Sequence, residues 1–347
     1  MDNFYPPALT LAGMKKIRWG ILGCGRIAGK FVADLLLLPD AELMAVGSRS
    51  LDKAEAFARE NGFRKAHGSY EALVADPEVD IVYIASPHSH HHEHTLLCLQ
   101  HNKAVLCEKA FAIHAGQAAD MIRLAREKKL FLMEALWTRF LPHYQLVMEW
   151  LKEGRLGTIR SMQVNFGFRP MEPVPQRLFD PALGGGTLLD IGIYNVFMVH
   201  SVLGWPDEIQ AVMTPSETGV DEQLAIQFHY RNGALAQMLS TFRSDLATEA
   251  DIAGDQGRLR LHNRFYEPST SIDFFPGRMD TKKTIAFHRE PGWGYQFQAR
   301  HVHECLRNGL TESPVMPLDL TLELMRLMDE IRRIAGIRYP VDEQMPG

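Results

Sequence analysis

The sequence predicts an α/β protein in two parts. A doubly wound parallel sheet covers residues 15–135, and an α+β unit with a mostly antiparallel sheet covers residues 136–347. Three observations carry this reading. Gly23-Cys24-Gly25-Arg26-Ile27-Ala28 lies between a strand pattern and a helix pattern. Strand and helix then alternate as far as residue 135, which is how parallel sheets with covering helices read. Beyond residue 150 the alternation gives way to successive strand patterns joined by short turns.

Each element follows from local pattern. Ile17, Trp19 and Ile21 alternate with period two, a strand. Ile27, Phe31, Leu35 and Leu38 recur at helical spacing until Pro39 ends the run. A second strand at 43–46 leads into Gly47-Ser48-Arg49. A helix from Asp52 to Glu60 has Ser50 as its cap and Gly62 as its stop. A short helix near 70–75 precedes Asp80-Ile81-Val82-Tyr83-Ile84-Ala85, whose unbroken apolar character fits a strand buried on both faces. A His-rich helix (93–101), a strand (104–107), a helix (116–128) and a strand (131–134) complete the sheet. In the second part, residues 158–168 form a long strand and Gly184-Gly185-Gly186 opens a helix over 187–203. Strands follow at 208–213, 222–230 and 234–242, the last two joined by Arg231-Asn232-Gly233, a hairpin signal. More strands lie between 252 and 288, and helices at 295–308 and 318–335 close the chain.

Composition narrows the function. The net charge of −5 offers no basic field for phosphate backbones or anionic membranes, so neither nucleic acid nor membrane is an expected partner. Apolar runs such as Leu35–Leu38 are far too short to span a bilayer. Cys24, Cys98, Cys107 and Cys305 have no paired spacing, which fits reduced thiols and a cytoplasmic location. Residues 1–14 carry no periodic pattern and read as a flexible extension, or as an overlong start ahead of Met14.

The glycine loop has the chemistry of a dinucleotide site. Gly23 permits the tight turn, Gly25 lets backbone approach a pyrophosphate, and Ala28 lets helix and strand pack closely. The amides of the new helix then point at phosphate. Cys24, Arg26 and Ile27 belong to the same loop. At the end of the second strand, where a carboxylate would bind the ribose 2′-hydroxyl of NAD, stand Ser48 and Arg49, with Lys53 nearby. A guanidinium beside a hydroxyl attracts a 2′-phosphate, so NADP is the expected cofactor and NAD the alternative. Ser86, Pro87 and His88 follow a strand's carboxyl end and should line the cofactor. The five histidines between 88 and 94 have no ligand spacing or acidic partner set and, being consecutive, point apart, so no metal is expected. Lys109, after Glu108 at the next strand end, sits where it could polarise a substrate oxygen. Asp190 and Tyr194 are four apart on one helix face. A nearby ammonium would lower the phenol toward the range of a general acid–base.

Together these segments resemble the Gfo/Idh/MocA oxidoreductase family over residues 15–343. The motifs are the glycine loop, Ser86 through His91, Glu108-Lys109 and Gly184 through Tyr194. The segments 134–140 and 312–317 look like the branch holding dihydrodiol and NADP-dependent D-xylose dehydrogenases. The resemblance implies a Rossmann domain followed by a large open sheet whose outer face makes homo-oligomer contacts, as a dimer or tetramer. It implies Lys109 as catalytic lysine and Tyr194 as acid–base. Asp190 would be their partner, orienting Lys109 or the substrate hydroxyl. It places His91 beside the cofactor loop and Trp137 and Arg139 near nicotinamide and substrate, with Trp137 as an apolar wall. Arg169 is a further candidate at the substrate rim. The implied activity is NADP-dependent hydride transfer involving a small polyol, aldose or vicinal diol. The alternatives are coupling of two sugars through a retained cofactor, or an NADP-sensing regulator. Two departures stand out. Ala110 replaces the Pro of many members' Glu-Lys-Pro, and a cis bond before a non-proline costs roughly 2.5–4 kcal/mol. Gln298 stands where the family often has Glu.

Overall fold

The structure, a computed structural model, describes residues 15–262, 264–268, 271–277, 281–288 and 290–344; the extension expected at 1–14 lies outside these residues. The first sheet has six parallel strands: β1 (Ile17–Leu22), β2 (Ala41–Gly47), β3 (Lys65–His67), β4 (Ile81–Ile84), β5 (Ala104–Glu108) and β6 (Leu132–Ala135). Their order is β3-β2-β1-β4-β5-β6, so the chain reverses direction of winding between β1 and β4. That switch point opens a crevice at the carboxyl ends of the strands, where ligands of such sheets bind. The helices are α1 (Arg26–Leu35), α2 (Leu51–Asn61), α3 (Tyr70–Ala75), α4 (His91–Gln100) and α5 (Ala115–Lys128). Ser50 caps α2 through the Lys53 amide, and Gly62 ends it at φ +80°. Strand β3 escaped the sequence reading because Lys65-Ala66-His67 has no apolar run. Helix α6 (Pro142–Lys152) was missed too, although Tyr144, Val147 and Trp150 bury one side of it.

The second sheet has eight strands: β7 (Ile159–Gly167), β8 (Glu208–Pro215), β9 (Asp221–His229), β10 (Leu235–Thr241), β11 (Ala250–Gly254), β12 (Gly257–Leu261), β13 (Ser271–Pro276) and β14 (Lys283–Ala286). Their order is β14-β13-β12-β11-β7-β10-β9-β8, and only the β7–β10 pairing is parallel. The expected turn joins β9 to β10, with Gly233 at φ +83°. One face is covered by α7 (Ile193–Leu203). On the other face a polar row crosses the sheet through Gln210, Gln227, Gln237, Gln163, Asp251, Arg260 and Asp273. The stretch Pro181–Leu203 is long and apolar enough to cross a membrane, contrary to the reading that no such run exists, but 89% of its apolar 18-residue window is buried inside the fold. Its C-terminal part is α7, the core helix under the large sheet.

The chain's end returns to the first sheet. Helix α8 (Tyr295–Arg307) packs on α1, and α9 (Leu318–Ala335) on α5 and β6. Leu318 and Met325 share a core with Leu132 and Met121. The buried Asp34 carboxylate of α1 accepts from the backbone amides of Trp293 (2.8 Å), Gly294 (2.8 Å) and Tyr295 (2.7 Å), fixing the start of α8. His303 of α8 bridges Trp19 and Asp40, which also binds Arg307. The described residues after β6 therefore supply one sheet of their own and part of the cover of the other.

Candidate active site

A cleft of about 1140 Å³ runs from the glycine loop to the large sheet. Its near end is the cradle formed by β1, the loop and α1. Gly23 adopts φ +100°, and a Cβ on Gly25 would meet nothing within 4 Å, so the loop leaves open space over it. Helix α1 has no side-chain cap, and Gly25, Arg26, Ile27 and Lys30 border the cleft. Unsatisfied first-turn amides beside two cations fit a pyrophosphate. Ser86, Pro87 and His88 form the opposite wall.

Ser48, Arg49 and Lys53 lie outside this cleft, beyond the loop. Ser48 is buried and its hydroxyl accepts from the Ser50 amide, while Arg49 is exposed and its charge lies near Tyr70. Cys24 lies between loop and Ser48, and burial pushes its thiol up. His91 is fully buried, with Nδ1 2.7 Å from the Ala110 carbonyl and Nε2 2.9 Å from the Ser86 carbonyl. Burial lowers it to about 4, so the neutral ring donates to one of them. It is a strut between the Ser86 loop and the Lys109–Ala110 peptide, which is cis. His88 binds the Gly184 carbonyl at 2.9 Å and is lowered by burial to about 3.

The floor of the cleft joins β5 to the helix that carries Asp190 and Tyr194. This helix begins with a wide π-helical turn, Leu188–Gly192, before α7. Asp221 fixes the start, its Oδ2 accepting from the Thr187 hydroxyl (2.6 Å) and the Leu188 amide (2.7 Å). Lys109 donates to the Asp190 carbonyl at 2.5 Å, and its Nζ is 3.8 Å from Asp190 Oδ1. Burial pushes Lys109 below the usual ammonium range, with Asp190 and Glu108 opposing. Burial alone would raise Asp190, but Lys109 and Arg177 hold it well below the usual carboxylate range. Arg177 donates to Asp190 Oδ1 at 2.9 Å. Glu108 accepts from the Tyr83 hydroxyl, and burial raises it to about 7.

Four expectations need correction. Lys109 does not sit at the Tyr194 hydroxyl: it lies over the ring, 4.9 Å from the centroid, and burial drives the phenol well above its ordinary value. Trp137 is not a cleft wall. It is buried behind Tyr194, stacked on Tyr295 at 4.3 Å, with its indole Nε1 donating to Tyr194 Oη at 2.9 Å. Arg139 leaves the cleft because the short helical turn 137–140 aims it at the Val315 carbonyl (3.0 Å) and the Tyr144 ring. The histidines do not all point apart: His90 and His94 stack, Glu93 joins them, and their ligand atoms lie within 4.8 Å of one another. The turn into α4 brings positions i, i+3 and i+4 to one side.

Arg169 borders the cleft as expected. The sequence reading missed Arg177, Lys30, Arg264, Tyr295 and an aromatic wall of Phe166 and Tyr266, stacked at 4.2 Å. These come from helices, loops and strand ends far apart in the chain; Lys30, two residues past Ala28 of the glycine motif, and Arg177, in a Pro-flanked turn before the Gly-Gly-Gly segment, each had a neighbouring motif to mark it.

A crevice at the switch point, a phosphate cradle and a Lys–Asp–Tyr set on its floor define an oxidoreductase that uses a nicotinamide dinucleotide. The model of the oxidoreductase family with an NAD-binding Rossmann fold, Gfo/Idh/MocA, matches residues 17–136, and that family's C-terminal domain matches residues 144–260. The chain belongs to this family. It is 36% identical to trans-1,2-dihydrobenzene-1,2-diol dehydrogenase of Sus scrofa over 336 residues, 94% of this chain and 99% of that one. The Xenopus laevis enzyme of the same name is 37% identical over 332 residues, 93% and 99% of the two chains. Among solved structures, a 3-ketoreductase from Actinomadura kijaniata in complex with NADP superposes with a TM-score of 0.83 at 27% identity, covering 92% of this chain and 98% of that one. Levoglucosan dehydrogenase shares the fold, with a TM-score of 0.82 at 19% identity over 93% of this chain and 98% of that one.

Proposed function

We propose that this chain is an NADP-dependent oxidoreductase moving a hydride between nicotinamide and the carbinol carbon of a vicinal diol, small polyol or aldose. The observation that carries the reading is the Lys109–Asp190–Tyr194 set at the floor of a cleft continuous with the glycine cradle. The diol relatives and the aromatic wall of Phe166 and Tyr266 favour a cyclic vicinal diol among these substrates. Arg49, exposed at the end of β2, supports the 2′-phosphate preference.

The dinucleotide supplies the hydride acceptor; the chain binds, orients and moves the proton. Gly25 and the first-turn amides of α1 would hold the pyrophosphate, with Arg26 and Lys30 bordering the same cradle. In oxidation Tyr194 Oη, as the phenolate, takes the substrate hydroxyl proton and becomes the neutral phenol; in reduction the phenol gives that proton to the carbonyl oxygen and is left as phenolate. Lys109, anchored on the Asp190 carbonyl, stabilises the substrate oxygen that loses it. Asp190 favours the charged form of Lys109 against the burial that lowers it. The proposal extends to a homo-oligomer formed through the open face of the large sheet.

The test is reduction of NADP⁺ against pooled aldoses, polyols and aromatic dihydrodiols, with NAD⁺ in parallel. Turnover with one pool is expected, and Lys109→Met and Tyr194→Phe should each cost orders of magnitude while NADPH binding persists. Near-normal turnover in either variant refutes that residue's role. Tight NADPH binding with silence in every pool, in both directions, would favour a sensor.

A further inference from the structure

A phenol that must exchange a proton with substrate needs its oxygen prepared, and in this cleft the expected cation does not do so. The hydrogen bond of Lys109 goes to the Asp190 carbonyl, and its ammonium faces the Tyr194 ring rather than Oη. The group on Oη is the indole of Trp137, at 2.9 Å. Indole N–H is a donor only, so Tyr194 Oη must accept. That leaves the phenol's own hydrogen free to point elsewhere, and Tyr194 borders the cleft. Trp137 is itself held: it is 4% exposed, flat against Tyr295, and Tyr295 is fixed through its amide to Asp34.

We propose that Trp137 is a positioning residue for proton transfer: its N–H fixes the Tyr194 hydroxyl toward the substrate and stabilises the oxygen when it becomes anionic. This rests on the reading of Tyr194 as acid–base. A donor to an oxygen gaining charge binds about twice as strongly as to a neutral one, so the bond strengthens as the proton leaves. The other groups facing the phenol do not replace it. Glu108, Tyr295 and Tyr266 all oppose the anion, as does burial, while Trp137 favours it. Lys109 acts through the ring, and Asp190, one turn earlier, is engaged with Lys109 and Arg177.

The experiment reads the phenol directly. Tyr194 is replaced by 3,5-difluorotyrosine, which acidifies the phenol and gives it a ¹⁹F signal, and its titration is followed with Trp137 intact and with Trp137→Phe. The midpoint should rise by about one pH unit without the N–H, a tenfold loss of phenolate at fixed pH. In the otherwise unaltered chain, Trp137→Phe should lower the oxidative kcat about tenfold near neutrality and recover at alkaline pH, with KM changed less than twofold. Should phenylalanine disturb the fold, benzothienylalanine at position 137 keeps the ring's shape and lacks the N–H. An unchanged ¹⁹F midpoint, or a kcat loss equal at every pH, overturns the proposal. A shifted midpoint supports it even if no substrate is turned over, since that silence would count against the enzymatic reading alone.

Discussion

Replacing Asp34 by Ala should loosen the cleft from a distance. Its carboxylate takes the amides of Trp293, Gly294 and Tyr295. The Gly294 and Tyr295 amides are buried, whereas Trp293 is exposed enough for water to serve its N–H. Leaving a buried donor unmade costs roughly 1–3 kcal/mol, so the two together cost about 3 kcal/mol. An unfolding entropy near 2 cal/mol/K per residue over 347 residues gives about 0.7 kcal/mol/K, hence a Tm lower by about 4 °C. Asp34→Asn should lose less, because one amide oxygen can still serve the Gly294 and Tyr295 donors that share Oδ2. Tyr295 also lines the cleft and backs Trp137, so the KM for substrate should rise in Asp34→Ala while affinity for NADPH changes little. Calorimetry and steady-state kinetics on the same samples decide it. A Tm within 1 °C of the parent for Asp34→Ala, or equal losses for Ala and Asn, would refute the assignment of those bonds (an expected scale of about 4 °C).

Arg49→Ala should raise the dissociation constant for NADPH about tenfold and that for NADH hardly at all, read by fluorescence titration; equal effects defeat the 2′-phosphate assignment. Glu134 is fully buried, and burial raises its carboxyl to about 7. The folded state then holds a proton that the unfolded state releases near pH 4.5, so this stabilisation is complete below about 4.5 and lost as pH rises through 7. Glu134→Gln should therefore gain stability at pH 8 relative to pH 5, by on the order of 2 kcal/mol in urea denaturation. A variant whose stability relative to the parent does not change with pH would sink this account. Leu235→Arg, on the open face of the large sheet beside the polar row, should reduce the sedimenting mass to that of one chain; a monomeric parent would end the oligomer proposal.

Legibility in the sequence followed the range of the forces involved. The helices read near 70–75 and at about 318–335 match α3 and α9, whose ends are set locally in the structure by the Ser69 cap and by Gly336. The glycine loop and the position of Lys109 at a strand end were readable for the same reason. Side-chain direction was not. Trp137 and Arg139 are two apart in one short turn, yet one reaches Tyr194 and the other Val315, a choice made by α8 and the segment at 315. The sequence placed an ammonium near the phenol correctly but could not foresee that the Asp190 carbonyl would capture it. The His90–Glu93–His94 cluster was missed for a simpler reason: pairs of neighbours were considered, and one helical turn was not.

The wide turn at 188–192 makes this helix a matter of phase. A π-helical turn holds one more residue than an α-helical turn of the same rise, so everything after it is rotated by about 100° relative to an unbroken α-helix. Asp221 clamps the helix ahead of that insertion, and Tyr194 lies beyond it. Deleting a single residue between these points would keep the helix's composition and apolar faces almost intact. It would also swing Tyr194 away from Trp137 and Lys109 while the anchored start stayed put. In this fold the direction of Tyr194 is therefore encoded by residue count in the preceding turn as well as by residue identity.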